Sequence, residues 1–442
     1  MLKIFYLITI TITAAVLFVI GCNKSSPPTE PPPDEVKKDT VSTTVKDVTH
    51  RSVSINVQCT MNNLQWKVSL YRTLNGVDTL VAFFPVTVKD TTIIDDNNGN
   101  GLMLDTEYKY YAALTDTAGK LQEKTEPITA KTLAPTSHNF TWQEFTIGDA
   151  NYPSNLLYDV WGTDENNVWA VGGVSINGQT YGALHWNGSE WLPDSGAAGG
   201  YAIYGFGAND IWIVGGRVYH FDGIKWNWVD GYSSGGQNFP IDTVLFNNIP
   251  YTFIWGTSSS NLYLGNQWGK IIHWNGTEAK VIYTLNDARV TSISGNDENN
   301  FIITAISYVT QSKTKVIKVK YGSWADISNN EIRAIYPMAS AVSNEQIYIG
   351  GNNLFSYQNN RWDYIPLNIV GHIEDIFIEK TNNIFAVGSL SVVFHYNGID
   401  WHEYTELQTD MGSFSAVYST PAKVFLVGRS ENNSPKLYIG TK

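Results

Sequence analysis

Few residues of this 442-residue sequence carry reactive chemistry, and the first is a thiol. Cys22 closes the run Val19-Ile20-Gly21-Cys22, which follows Lys3 and an uncharged stretch over residues 4–20. A positive charge, an apolar core and a small residue before a cysteine are what a secretion signal with a lipid-attachment site requires. Gly21 lets a signal peptidase approach the backbone, and Cys22 offers its sulfur to a diacylglycerol. The apolar run is also close to the shortest length that spans a bilayer, so a permanent signal anchor is the rival reading. The residues that follow favour cleavage: Asn23 to Lys38 is polar and holds Pro27, Pro28, Pro31, Pro32 and Pro33, a composition that buries no core and acts as a semi-rigid spacer. Residues 1–21 are therefore read as a signal peptide and 22–35 as a Pro-rich linker. The mature chain is expected in the cell envelope, held through Cys22 on the extracytoplasmic side of a membrane, in the periplasm or at the cell surface.

Oxygen donors form the second candidate. Asp96-Asn97-Asn98-Gly99-Asn100-Gly101, followed by Glu107, has the spacing of a calcium loop, with Asp96, Asn98 and Asn100 as the alternating ligands and glycine at the sharp turn. The flanks read as strands where such a loop needs helices, so an Asn/Gly turn explains the same residues. No cofactor is required by the sequence, and calcium is the one metal it suggests. Four histidines, His185, His220, His273 and His395, recur at one repeat position. Positions spread around a ring cannot converge to the ~2 Å ligand distances of a shared ion, so a packing role is expected. Carboxylates for glycoside hydrolysis would have to face each other at roughly 5 to 9 Å. The pairs Asp164-Glu165 and Asp297-Glu298 lie in turns between first and second strands, away from the loops best suited to binding.

Composition narrows the partners. With 41 acidic against 29 basic residues the formal net charge is −12, which repels nucleic-acid phosphates. Once Cys22 carries lipid, Cys59 is the only thiol left, so stability must come from core burial and not from a disulfide. A monomer is expected. The 15 Trp, 25 Tyr and 18 Phe, with abundant Gly and Asn, indicate many short strands and tight turns, an all-β chain.

Two units position these residues. In residues 36–135, Ser52-Val53-Ser54-Ile55-Asn56-Val57 and Trp66-Lys67-Val68-Ser69-Leu70-Tyr71 alternate as half-buried strands do. Leu104-Asp105-Thr106-Glu107-Tyr108-Lys109-Tyr110 resembles the fibronectin type III domain, in which a leucine, a threonine and a corner tyrosine precede the penultimate strand. The resemblance implies a β-sandwich that acts as a spacer, with Tyr108 at the sheet corner.

From residue 140 onward the chain repeats. The clearest copy runs Tyr158-Asp159-Val160-Trp161-Gly162, Val168-Trp169-Ala170-Val171-Gly172, Ala183-Leu184-His185-Trp186, Asn187-Gly188 and Glu190-Trp191-Leu192. Each copy supplies four antiparallel strands, and Asn-Gly is read as a two-residue hairpin with both residues at positive φ. Seven copies are counted, the last lacking its fourth strand. Residues 140–147, with Trp142 matching Trp191 and Trp401, have the character of that strand, and they would close residues 140–442 into a seven-bladed β-propeller without an open edge. Six or eight blades, or an open solenoid, are the alternatives. The repeats resemble kelch, sialidase-like and photosystem-assembly-factor propellers, and most closely the W-G…N-V-W-A-V-G…H-W-N-G-x-x-W repeats of many bacterial lipoproteins. They depart from sialidases, because Asn187-Gly188 and Asp222-Gly223 are adjacent where the sialidase box inserts a residue.

Blade residues build the fold, so function is sought in the loops. Loops joining second to third strands, and one blade to the next, open on one face. That face would carry Tyr181, Arg217, Trp268, Lys270, Tyr308 and Arg429, with the insertion over residues 231–250. Aromatic rings beside hydrogen-bonding groups suit a glycan or peptide, although isolated exposed aromatics also occur without function. The expected function is non-catalytic binding of a glycan, peptide or envelope protein; the alternative is a glycosidase-like enzyme.

Overall fold

The computed structural model describes residues 40–60, 65–149, 155–197, 199–229, 251–286, 288–309, 314–332, 338–343, 346–409, 411–432 and 434–442. Cys22, the signal segment, the 22–35 linker and the 231–250 insertion lie outside the described residues.

The first unit has eight strands: β1 (Thr40–Val48), β2 (Val53–Thr60), β3 (Lys67–Leu74), β4 (Val77–Pro85), β5 (Asp90–Asp95), β6 (Glu107–Thr115), β7 (Leu121–Lys124) and β8 (Ile128–Lys131). They form two antiparallel sheets, β1-β2-β5 and β4-β3-β6-β7, with β8 also paired to β6. Alternation dictates the burial: Val53, Ile55, Val57 and Cys59 of β2 face Val68 and Leu70 of β3 and Tyr108, Tyr110, Ala112 and Leu114 of β6 in one core. The Tyr108 hydroxyl accepts the Met103 N–H at 2.9 Å, tying the start of β6 to the chain five residues upstream. Asp95 is buried there, but Arg72 at 2.9 Å and the Tyr110 hydroxyl at 2.9 Å satisfy it.

The rest is a β-propeller. Seven four-stranded antiparallel sheets follow one another. Blade 1 comprises, from the inner strand outward, Leu156–Asp164, Asn167–Ile176, Gln179–Trp186 and Trp191–Asp194. The inner strands of blades 2 to 6 are Ala202–Gly207, Tyr251–Ser258, Ala288–Asp297, Ala339–Ser343 and Ile373–Lys380. Blade 7 consists of Ser413–Ser419, Lys423–Arg429, Pro435–Thr441 and, as its outer strand, β9 (Thr141–Phe145) from the other end of the propeller sequence. Each inner strand packs on the next, and that of blade 7 returns to blade 1, so the ring is closed. A Cβ at Gly440 would lie 2.6 Å from the Trp142 ring, which explains why glycine stands opposite that indole.

Second strands are buried on both faces, which is why Val168-Trp169-Ala170-Val171 reads as an unbroken apolar run. Val168 and Ala170 pack toward blade 7, whereas Trp169 and Val171 pack toward blade 2. Each of the seven interfaces between neighbouring blades has its own apolar cluster.

The repeated histidines are part of this framework. His185 stacks on Trp169 with ring centroids 4.2 Å apart, His220 on Trp212 at 4.4 Å and His395 on Phe385 at 4.3 Å, while His273 tilts over Tyr263 at 4.8 Å. Their Nε2 atoms meet Asn167, Asp210, Asn383 and Asn261, the first residues of the second strands. Burial, with His138 close by, drives His395 down to about 3, so its ring is neutral.

The Asn-Gly turns differ from the expected two-residue hairpin. Trp186 pairs with Trp191, so the loop has four residues, and of Asn187 and Gly188 only the glycine has positive φ. Asn187 Oδ1 instead accepts the N–H groups of Ser189 and Glu190, and Asp222, Asn275 and Asn397 repeat the arrangement. Asparagine is selected here for its side-chain oxygen.

The first unit docks on one face of blade 6. The His50 N–H meets Thr381, Thr136 bonds the carbonyls of Asn382 and Asn397, and the Asn382 amide donates to the Ala134 carbonyl. Thr381, Asn382 and Asn397 lie in turns after first and third strands, so these contacts lie on the face opposite the loops that join second to third strands.

Candidate functional site

On the opposite face the inner strands open into a cavity of about 420 Å³. A β-bulge near the start of an inner strand inserts one extra residue, and five blades have one: Tyr158, Thr252, Thr291, Glu374 and Ser415. All five line the cavity. Bulges re-aim side chains at barrel rims and active sites, and here they do so around the channel mouth.

Tyr201, Phe253, Gln267, Arg289, Ser413 and Arg429 complete the polar and aromatic part of the lining. The rings of Tyr158 and Tyr201 meet edge to face at 5.0 Å. Glu374 is the one carboxylate among the described lining residues. Burial raises its carboxyl, while the Ser389 hydroxyl, which donates to it at 2.9 Å, and the Arg429 charge pull the other way.

Of the residues expected on this face, Arg429 lines the mouth. Trp268 follows the lining residue Gln267 and is 57 % exposed, held by its N–H to Asn266 Oδ1 at 3.0 Å. Tyr308 is 54 % exposed, and partial burial raises its hydroxyl while the Arg289 charge pulls the other way. Lys270 is half-buried at the start of a strand. Arg217 lies over the Trp228 ring at 3.5 Å, and Tyr181 is half-buried opposite Val174; neither lines the mouth.

Tyr158, Tyr201, Arg289 and Glu374 were not singled out from the sequence. Their signal is faint: an inner strand with a bulge puts two residues between apolar ones where alternation allows one, as in Ile373-Glu374-Asp375-Ile376 and Leu157-Tyr158-Asp159-Val160.

The calcium candidates form a turn. Asp96 Oδ1 accepts the Gly99 N–H at 2.9 Å, the Asn100 amide donates to the Asn97 carbonyl, and Asn98 has φ of 56°. Glu107 belongs to β6. The Asp96 loop borders a second cavity of about 260 Å³ between the first unit and the propeller, whose lining residues His50 and Thr381 join the two. No group of three or more His, Cys, Asp or Glu poised for a metal occurs among the described residues.

No family model matches the chain. No curated protein matches it either. Among solved structures, the WD40 β-propeller domain of Doa1 is similar at 12 % identity and a TM-score of 0.48, over 69 % of this chain and 98 % of that one. A puromycin-hydrolyzing peptidase of Mycobacterium tuberculosis is similar at 7 % identity and a TM-score of 0.33, over 80 % of this chain and 57 % of that one. The propeller assignment rests on the sheet order and ring closure of the chain itself.

Beneath the mouth two half-buried carboxylates staple neighbouring blades. Asp159 accepts the N–H groups of Val160 and Ile203, both at 2.8 Å, joining blades 1 and 2. Asp375 does the same for blades 6 and 7 through Ile376 at 2.8 Å and Val417 at 2.9 Å. Burial pushes Asp159 up to about 8, with the Asp375 charge adding to it, and pushes Asp375 itself up to about 6. A raised carboxyl means that the folded chain holds protons the unfolded chain has released. The stabilising contribution is then full below about pH 4 and is lost as pH rises through 6 and 8. Asp159→Asn removes this titration, so the melting temperature of wild type relative to the variant should fall between pH 5 and pH 8. A wild type that gains on the variant toward pH 8 would mean that the two N–H groups hold Asp159 ionised.

Proposed function

We propose that this chain is a cell-envelope lipoprotein, anchored through Cys22, in which a fibronectin type III-like domain supports a β-propeller that binds a glycan, peptide or envelope protein without chemistry. The observation that carries the binding assignment is the makeup of the mouth. Bulged aromatic, hydroxyl and charged side chains converge on it from five blades, and the described lining contains one carboxylate, Glu374. Glycoside hydrolysis by the usual route needs an apposed pair, which the competing glycosidase reading would have to draw from elsewhere.

The sheet order β1-β2-β5 against β4-β3-β6-β7, and the Tyr108 hydroxyl bonded to Met103, support the fibronectin-like reading. Docking of that unit on the opposite face supports a spacer role, because its contacts with blade 6 lie away from the mouth.

Trp268 at the rim supplies the test. Its indole is 57 % exposed, so Trp268→Ala should leave the melting temperature almost unchanged, where a buried tryptophan would cost ~3–5 kcal/mol. Loss of one stacking plate, worth about 0.5–1.5 kcal/mol, should weaken binding roughly two- to tenfold. Envelope glycans and peptides are screened on the soluble ectodomain, hits are repeated with the variant, and products are checked for cleavage. Unchanged affinity would move the site away from this rim, and turnover of a bound glycan would replace binding by catalysis.

A further inference from the structure

Resting on the reading of the mouth as a binding surface, we propose that its ligand is an acidic glycan, taken up by a chain end whose sugar carries a carboxylate. The charge pattern points there first. The sequence as a whole is acidic, at −12, yet the described lining of the mouth sets Arg289 and Arg429 against the single carboxylate of Glu374. Among the described lining residues cationic side chains outnumber the carboxylate, and cationic groups in a concave site attract anionic ligands.

Geometry adds to the charge. Arg289 belongs to blade 4, and Arg429 ends the second strand of blade 7, so they reach the cavity from blades as far apart as a seven-membered ring allows. A ligand held by both must enter the mouth and not lie along one blade. Guanidinium groups bind carboxylates through paired N–H donors, which fixes orientation as well as charge. Glu374 is engaged within its own blade, where it accepts from Ser389 at 2.9 Å.

The remaining lining separates a sugar from a peptide. Tyr158 and Tyr201 are 38 % and 41 % exposed and meet edge to face, so they offer ring faces and hydroxyls together. A pyranose has the matching character, with apolar C–H faces and a hydroxylated edge, and Gln267 adds an amide for that edge. An aspartate or glutamate side chain would satisfy the arginines but leave the tyrosine faces unused. The volume of about 420 Å³ lies low in the range of roughly 300–1,000 Å³ for small-ligand sites, which suits the end of a chain.

Calorimetric titration of the soluble ectodomain with galacturonate, glucuronate and mannuronate oligosaccharides, their methyl esters and oligoglutamate is the test. At least one uronate series should bind, its methyl ester should bind ten times more weakly or worse, and raising the salt should weaken the acid form selectively. Arg429→Gln and Arg289→Gln should each reduce uronate affinity about 10- to 100-fold, the size expected when a hydrogen bond to a charged group is lost. Arg429 is exposed, so its variant should keep the wild-type melting temperature even if the half-buried Arg289 variant does not fold. Equal binding of acid and ester, oligoglutamate binding as tightly as any uronate, or uronate affinity untouched by Arg429→Gln would each overturn the proposal. Neutral glycans that bind and are weakened by Trp268→Ala would leave the binding function standing while the acid preference falls. Failure of every glycan and peptide to bind would remove both.

Discussion

Deleting Thr141–Phe145 is expected to cost the propeller at least about 5 kcal/mol, whereas deleting residues 25–33 should leave its unfolding unchanged. That strand is the outer member of blade 7, in register with the last strand from Leu437 opposite Phe145 to Thr441 opposite Thr141. It also reaches both neighbouring blades. Phe145 packs edge to face on Trp186 of blade 1 at 5.4 Å, and Trp142 on Tyr404, beyond the outer strand of blade 6, at 5.1 Å. Its loss exposes a strand edge and strips large aromatics from the clusters between blades 6 and 7 and between blades 7 and 1. Truncation of one buried aromatic costs ~3–5 kcal/mol, and whole domains are stable by only about 5–15 kcal/mol. Thermal and urea unfolding of the two truncations, followed by tryptophan fluorescence, decide the matter. Equal midpoints would mean that the ring does not depend on this closure.

The closing strand was legible because the repeat left a gap at one end and a spare Trp-bearing strand at the other. The sheets and their count follow from the same periodicity, since a strand buried on both faces leaves an apolar run such as Ile211-Trp212-Ile213-Val214. The channel mouth was less legible. Its residues come from blades that no local pattern brings together, and the bulges that aim Tyr158 and Glu374 break alternation by one residue, a change too small to separate from an ordinary strand end. Loop residues fared unevenly for a related reason. Exposure of Trp268 follows from its short turn between glycines, but sequence could not show that Arg217 lies over Trp228. The turns show a third kind of limit: Asn-Gly identifies a turn correctly, yet loop length depends on the pairing of Trp186 with Trp191, which is set by the sheet.

Replacing Cys22 by Ser is expected to abolish incorporation of labelled lipid completely, and a chain beginning at Asn23 should leave the membrane fraction for the soluble one. The thiol is the only atom in the signal region able to take a diacylglycerol, and serine does not substitute for it in that transfer. The energetic contrast is large. Each buried CH₂ is worth about 0.8 kcal/mol, so two or three acyl chains hold a protein where a single myristoyl chain binds only marginally. Among the described residues no helix is long and apolar enough to cross a membrane, so they offer no helical anchor in its place. The uncleaved apolar run over residues 4–20 could still retain the Cys22→Ser precursor, which is why the Asn23 start is the companion measurement. Lipid label persisting in Cys22→Ser would defeat the anchor assignment. With the anchor in place, the Pro-rich 22–35 segment, at ~3.1 Å per residue if extended, spans up to roughly 40 Å. The first unit then docks on the blade 6 face opposite the mouth. Lipid, linker and docking together would hold the cavity of Arg289, Arg429, Tyr158 and Tyr201 on the side away from that docked unit, where a polymer of the envelope can reach it.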